Sequence, residues 1–423
     1  MVFQTSRAFA RALDRDDALS GFRERFFVDD PELLYVDGNS LGRLPLDTAR
    51  RIEQVVREEW GERLVRGWNG GWYDAPARIG DKIGQLIGAA DGQVVVSDST
   101  SVDLFKLAAS ALRLRSERTK IVTDSLNFPS DLYVLQGLNR LLDDRWEIVS
   151  VGSDGDEIIP DLDSLQAAID ETTALVTLSH VVFKSGFLYD MAEITRRAHE
   201  AGALVVWDLS HSVGSVEIDL DGCDVDFAVG CTYKYLNGGP GSPAFLYVNR
   251  RLSGGATSPI WGWFGQNRPF DFSLNYSPAP GVARFLAGTP SVLSLVAVES
   301  SVGILLEAGM GAIRRKSTAL TSYFVQLSDA ILSRAGFVLG SPRESEQRGG
   351  HVSLRHPEGY RINRALIEEM KVIPDFREPD NVRFGFSPLY TSFEDVWRTV
   401  DRIARVVDER RYSNYPKERP PVT

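Results

Sequence analysis

The sequence predicts an α/β fold: a mostly parallel seven-stranded sheet with helices on both faces, followed by a smaller α+β C-terminal domain. Three observations carry this. Seven short β-rich runs recur between residues 94 and 249, and helical stretches separate most of them. Beyond residue 308 the pattern changes to one long helix followed by short mixed elements. At 423 residues the chain is too long for one small core. The expected division is an N-terminal segment, 1–60, packing with the small domain, a large domain, 61–308, and the small domain, 309–423.

In order, the strand-like runs are 94–97, 120–123, 147–151, 174–179, 204–208, 227–231 and 244–249. Between the first two, 102–114 places Leu104, Leu107, Ala108 and Ala111 at helical spacing. Residues 161–169 and 192–201 read the same way. Strands alternating with helices imply parallel strands joined by crossovers. The last two runs lie closer together, so an antiparallel connection is expected there. Residues 253–289 are rich in Gly, Pro, Trp and Phe with weak periodicity, and read as a long structured loop region. A helical pattern then runs from 290 to about 308 and, past Gly309 to Gly311, on to about 335. Strands at 337–339, 351–354 and 382–386 and a helix at 360–369 complete the small domain. From Tyr412 the polar, proline-rich end reads as a loose tail.

Apolar residues make up 43% and charged residues 25%, the balance of a globular protein. A net charge of −11 argues against nucleic-acid or anionic-membrane binding, which needs a basic face. No window approaches the ~18 apolar residues of a membrane span. Residues 1–17 mix arginines with aspartates and lack the apolar core of a signal peptide. With only Cys223 and Cys231, neither a disulfide framework nor a cysteine-rich metal site is expected. These features describe a cytoplasmic chain without a metal.

Asp208 ends the apolar run 203–207, and Lys234 follows 26 positions later, just past the run 227–231. In sheets of this kind ligands bind at the carboxyl ends of the strands. Ser97 to Ser101, Ser179, Asp208 and Lys234 all fall there. A lysine amine able to form a Schiff base, with a carboxylate able to keep a ring nitrogen protonated, is what pyridoxal 5'-phosphate requires. Thr100 and Ser101 sit where a strand turns into a helix, a place that favours phosphate and also suits a helix cap. Glycines 238, 239 and 241 let the backbone turn tightly beside a ligand.

Several motifs occur in a fixed order: Tyr35-Val36-Asp37-Gly38-Asn39-Ser40-Leu41-Gly42, Asp98-Ser99-Thr100-Ser101-Val102, Asn127-Phe128-Pro129-Ser130-Asp131 and Tyr233-Lys234-Tyr235-Leu236-Asn237. Gly262-Trp263-Phe264-Gly265, Ala287-Gly288-Thr289-Pro290 and Arg383-Phe384-Gly385-Phe386 follow. Together they resemble the kynureninase family, pyridoxal-phosphate hydrolases of the fold-type I aminotransferase superfamily, over nearly the whole chain. The resemblance implies Lys234 as the Schiff-base lysine and Asp208 as partner of the pyridine nitrogen. It implies Thr100 and Ser101 at the phosphate, and Ser179, His211 and Tyr233 facing the cofactor. Phe128 would stack on the pyridine face with Asp131 nearby. Trp263 and Thr289 would reach the cofactor phosphate of a neighbouring subunit, giving a homodimer with shared active sites. Arg383 would clamp the substrate α-carboxylate with its guanidinium fork, and Trp68 would border the aromatic amine end. Asp103 stands where relatives often carry Asn, and little functional effect is expected from it.

The implied reaction is hydrolysis of the Cβ–Cγ bond of L-kynurenine, or of its 3-hydroxylated form, to anthranilate (or 3-hydroxyanthranilate) and L-alanine in tryptophan degradation. Lys234 would move the Cα proton, and Tyr233 is a candidate acid/base. Another enzyme of the same superfamily, such as an aminotransferase, is the alternative. A cysteine desulfurase needs a mobile cysteine well after the lysine, and none follows Cys231. A non-catalytic binding protein on this fold would be expected to have lost Lys234 or Asp208.

Overall fold

The computed structural model describes residues 3–153 and 155–418. Thirteen strands are named here in chain order. The first, β1 (Leu34–Tyr35), precedes seven that form the large sheet: β2 (Val94–Ser97), β3 (Lys120–Asp124), β4 (Glu147–Val151), β5 (Thr173–Ser179), β6 (Leu204–Asp208), β7 (Phe227–Gly230) and β8 (Ala244–Val248). Their order across the sheet is β2-β8-β7-β6-β5-β3-β4. All neighbours are parallel except β8, which runs antiparallel to both β7 and β2. The β7–β8 connection, 231–243, is made of turns with no crossover helix, and the antiparallel pair expected there is present.

Apart from the edge strand β4, the strand interiors are buried because both faces are covered. Alternate residues point to opposite faces. Val96, Val122, Val205 and Trp207 enter one core, while Val95, Ile121, Leu204 and Val206 enter the other. The first helices are α1 (Arg7–Arg15), α2 (Leu46–Gln54), α3 (Ala75–Leu86), α4 (Thr100–Leu114), α5 (Pro129–Leu141), α6 (Leu162–Ala168) and α7 (Met191–Glu200). Ile79 and Ile83 of α3 and Ile194 of α7 fill the first core. Leu104 and Leu107 of α4 and Leu135 of α5 fill the second.

Helices α8 (Val292–Ala308) and α9 (Met310–Ile331) follow the loop region. The chain bends by 82° between them, at Gly309, whose φ of 76° favours glycine. The helical pattern thus breaks at one glycine, and Gly311 lies inside α9. The bend passes the chain from the sheet's core, which holds Leu295 and Val302, to a third core, which holds Leu320 and Phe324. That third core lies on a sheet of order β12-β13-β10-β9: β9 (Val338–Leu339), β10 (His351–Arg355), β12 (Asp375–Arg377) and β13 (Asn381–Gly385). Helices α10 (Gly359–Met370) and α11 (Phe393–Asp408) pack there, and β11 (Val372–Ile373) pairs with β1. Ala10, Leu34 and Val36 join the same core, so the start of the chain packs against its end. Among the described residues no single helix is long and apolar enough to cross a membrane.

The 253–289 segment contains only short 3-10 turns, in keeping with a structured loop. The loose tail expected from Tyr412 is docked as far as Tyr415. Both tyrosines pack on the third core, and Arg361 donates to the Tyr415 carbonyl at 2.8 Å. The remainder of that segment, 419–423, lies outside the described residues.

Candidate active site

Strands β5, β6 and β7 deliver their carboxyl ends to one edge. Ser179 lies opposite Asp208, and Asp208 opposite Val229. Asp208 is buried, and its Oδ1 accepts from the Ser210 amide at 2.9 Å and the Ser210 hydroxyl at 2.6 Å. Burial raises its carboxyl, while Ser210 and Lys234 oppose the rise. Past β7 the chain turns at Cys231 and presents Lys234. The Lys234 Nζ lies 3.1 Å from His211 Nε2 and 3.4 Å from Nδ1. Burial, then the charges of Lys234 and Arg383, push His211 well below its ordinary range, so this imidazole is neutral. Gly42 secures the lysine turn from the other side. Its amide donates to the Tyr233 carbonyl at 2.8 Å, and a Cβ there would come within 2.4 Å of the Lys234 carbonyl oxygen.

These groups border a cavity of about 230 Å³. Helices α4 and α5 point their N-termini at it, supplying Thr100 and Ser101 from one and Phe128, Ser130 and Asp131 around the other. Ser101 and Ser130 hydroxyls meet at 3.0 Å. The Lys234 Nζ stands 6.0 Å above the Phe128 ring centroid and 5.8 Å from that of Tyr233. Asp131 is buried, and its Oδ2 has no hydrogen-bond partner. Burial, then Asp208, raise its carboxyl well above the usual range. The Cys231 sulfur, then burial, hold the Tyr233 hydroxyl protonated.

The structure therefore brings nine expected residues together: Thr100, Ser101, Phe128, Asp131, Asp208, His211, Tyr233, Lys234 and Arg383. Four others lie elsewhere. Ser179 sits one layer behind, its hydroxyl donating to Asn127 Oδ1 at 2.6 Å, while that same oxygen accepts from the Phe128 amide at 2.9 Å. It therefore orients the Phe128 turn and does not face the cavity. Trp263 and Thr289 pair with each other, indole to hydroxyl at 3.3 Å, outside the Lys234 cavity of their own chain. Trp68 packs edge-on against Trp72 and, with Thr289, lines a separate apolar hollow of about 480 Å³.

Arg383 is where expected, but its fork is already filled. Nε donates to Asp375 Oδ1 at 2.7 Å and Nη2 to Asp375 Oδ2. Asn39, Ser40, Phe183, Ser210 and Arg377 also line the cavity without having been assigned a role from the sequence. The 35–42 motif marked the first two; nothing local marked Arg377 or Asp375. Asp103 has a defined structural place. It is fully buried, takes the Ser97 hydroxyl at 2.9 Å and pairs with the buried Lys106 at 3.2 Å. Lys106 also holds Asp98, in the turn between β2 and α4, and donates to the Phe285 carbonyl at 2.8 Å.

The donor set fits pyridoxal phosphate. An amine, a buried carboxylate at a strand end, a helix N-terminus with two hydroxyls and an unpartnered buried Asp131 oxygen converge on one cavity.

Comparison with known proteins agrees with this chemistry. A kynureninase from Pseudomonas fluorescens is 44% identical over 415 residues, covering 97% of each chain. A kynureninase from Burkholderia pseudomallei is 45% identical over 95% of this chain and 96% of its own. The chain belongs to the kynureninase family. The family model of the kynureninase C-terminal domain matches residues 313–403, and that of the DegT/DnrJ/EryC1/StrS aminotransferase family matches 62–222. Among solved structures, a cysteine desulfurase from Thermococcus onnurineus aligns with TM-score 0.76 at 21% identity, covering 94% of this chain and 98% of its own. The Escherichia coli desulfurase CsdA aligns at 0.77 and 18%, covering 92% and 98%. At such identities the kinship is one of fold alone. Cys231 is buried, its sulfur 3.7 Å from the Ser210 carbonyl, and neither cysteine lines the cavity.

Proposed function

We propose that this chain, with pyridoxal phosphate held at Lys234, hydrolyses the Cβ–Cγ bond of L-kynurenine to anthranilate and L-alanine, a step of tryptophan catabolism. The observation that carries the reading is the convergence of Lys234, His211, Asp208 and Asp131 on one cavity in a chain with near-full-length kynureninase kinship. Bound pyridoxal phosphate supplies the electron sink that makes carbanions at Cα and Cβ accessible. Asp208 keeps the ring nitrogen protonated. Thr100, Ser101 and the N-terminus of α4 hold the phosphate. Phe128 covers the ring face. Lys234, its amine within hydrogen-bond reach of the neutral His211 ring, takes and returns the Cα proton. Tyr233, protonated at neutral pH, donates to the ketone oxygen as water adds to Cγ; help of this kind is typically worth about 100- to 10,000-fold. Arg383 receives the α-carboxylate.

The test is direct. Purified holoenzyme should convert L-kynurenine to anthranilate and L-alanine in equal amounts. Borohydride reduction should fix the cofactor on Lys234, read by peptide mass spectrometry. A pyridoxyl group on another lysine, or no anthranilate, defeats the reading.

Assembly as a homodimer is part of this proposal. Trp261 is 66% exposed and Phe272 77%, and Leu274 is fully exposed, an apolar face in the same loop region as Trp263. A second copy covering it would carry Trp263 and Thr289 toward the partner's phosphate and Trp68 toward the aromatic end of a substrate. Mixed Lys234→Ala and Trp263→Ala subunits should regain activity that neither has alone. A monomer by light scattering at working concentration would rule the arrangement out.

A further inference from the structure

We propose that the substrate α-carboxylate enters Arg383 by exchange: Asp375 leaves the guanidinium fork and moves onto Arg377 as the substrate takes its place. This rests on the kynureninase reading only in requiring an α-amino acid substrate.

A guanidinium has five N–H groups, and a carboxylate clamp needs two of them side by side. Arg383 spends Nε and one Nη2 hydrogen on Asp375, the other Nη2 hydrogen on Ser40 Oγ at 3.3 Å, and one Nη1 hydrogen on the Phe183 carbonyl. One N–H is left over, which cannot form a fork. Arg383 is also buried, so it cannot turn outward to find a second carboxylate. A two-point clamp of the substrate carboxylate on Arg383 therefore requires Asp375 to leave the fork.

The surroundings are built for displacement. Asp375 lies directly opposite Arg383 across the β12–β13 ladder. Arg377 is two residues further along β12 and so on the same face. Its Nη2 already stands 2.9 Å from Asp375 Oδ2, and its side chain is 36% exposed. A small rotation of Asp375 exchanges one guanidinium for the other. Ser40 donates to Asp375 Oδ2 at 2.9 Å while lying near Arg383, so it stays engaged throughout. β12 is an edge strand of three residues, which lets the rotation proceed without disturbing two ladders.

Charge supports the same outcome. Burial pushes Asp375 up, but Arg383 outweighs it and keeps the carboxyl below its ordinary range. The exchange is thus anion for anion. Two arginines end up facing two carboxylates, and no buried charge is left alone. Asp37, the third carboxyl of the cluster, is raised to about 7 by burial and then by Asp375, which limits the negative charge it adds beside an incoming anion.

Asp375 and Arg377 are then positioning residues, and their effect should fall on carboxylate binding. The probe is L-alanine titrated into holoenzyme, read by the change in cofactor absorption, alongside KM and kcat for L-kynurenine. Asp375→Asn removes the competitor, so the L-alanine Kd and the kynurenine KM should each fall about 3- to 10-fold with kcat little changed. Arg377→Met strands the displaced Asp375 and should raise both about tenfold, and most of that loss should vanish in the double variant. Ethylamine, which lacks the carboxylate, should bind Asp375→Asn and the parent alike. An L-alanine Kd that rises in Asp375→Asn, or an Arg377→Met effect equal in both backgrounds, overturns the exchange. If Asp375→Asn loses the cofactor, Asp375→Ser carries the same test. The L-alanine titration is independent of kynurenine turnover. An enzyme that makes no anthranilate yet shows these shifts would refute the kynureninase reading and leave the exchange standing.

Discussion

The two walls of the cavity are built differently. The cofactor wall comes from the ends of adjacent parallel strands and the turns that follow them, with Asp208, Ser210, His211 and Lys234 all within 27 consecutive positions. The carboxylate wall brings Ser40 from near the start of the chain against Asp375, Arg377 and Arg383 from near its end; the Ser40–Asp375 contact alone spans 335 positions. One wall is fixed by β5, β6 and β7, interior strands each paired on both sides. The other rests on a short edge strand and a motif pinned at Gly42. Rigid chemistry and adjustable recognition are thus placed on separate parts of the fold.

Asp208→Asn tests the first wall and should have the largest effect. Its Oδ1 already bonds Ser210, so an amide can keep that geometry while losing the charge at the ring nitrogen. We expect kcat to fall by at least about 100-fold, the scale for removing a preorganised electrostatic partner. The melting temperature should stay close to the parent's. A variant with near-parent kcat would mean that another group protonates the ring.

This contrast also explains what the sequence reveals. Strand ends are readable because apolar runs stop at polar residues: Asp208 and Lys234 announce themselves by position. The seven strands of the large sheet and its one antiparallel member are read correctly for the same reason. Asp375 and Arg377 lie in a three-residue strand with no period to detect, and only tertiary pairing with Arg383 gives them meaning. Ser179 has the strand-end position that the sequence reading relies on, while its hydroxyl is engaged by Asn127, a pairing no local pattern announces. Helix α5 begins at Phe128-Pro129, a turn read for its ligand contact, and the helix behind it is masked by that reading.

Arg383 tests the second wall. Arg383→Ala should raise KM about 10- to 100-fold, the equivalent of roughly 1.5–3 kcal/mol for a charge-assisted bond. Arg383→Lys keeps the charge and loses the fork, so its KM should lie nearer to that of Ala than to the parent. Cofactor absorption and the reduced adduct on Lys234 should be unaltered in both, because the two walls are separate. A loss of bound cofactor in Arg383→Lys would show that the walls are coupled.

The smallest effect concerns stability against pH, and it isolates the carboxylate wall without touching chemistry. Asp37 is buried near Asp375, Arg377, Arg383 and the hydroxyls of Tyr35, Tyr235 and Tyr390, with its Oδ1 unpartnered. Burial, then Asp375, raise its carboxyl from 3.8 to about 7. Between those values the folded chain holds a proton that the unfolded chain has released. Folding stability from this group is therefore greatest below pH 4 and declines as pH rises toward 7. Asp103, raised to about 7, and Asp124, raised to about 6, both mainly by burial, add slopes of the same sign. Asp14, Asp131 and Asp208, also raised mainly by burial, act in the same direction, and Asp37→Asn removes one contribution of several. The fall in melting temperature between pH 5 and 7 should become shallower in Asp37→Asn, while acid unfolding below pH 4 should be unchanged. An identical slope in parent and variant would mean that Asp37 is ionised throughout, with Arg377 and Arg383 compensating it. The carboxylate wall would then carry one more fixed negative charge than the exchange at Arg383 allows.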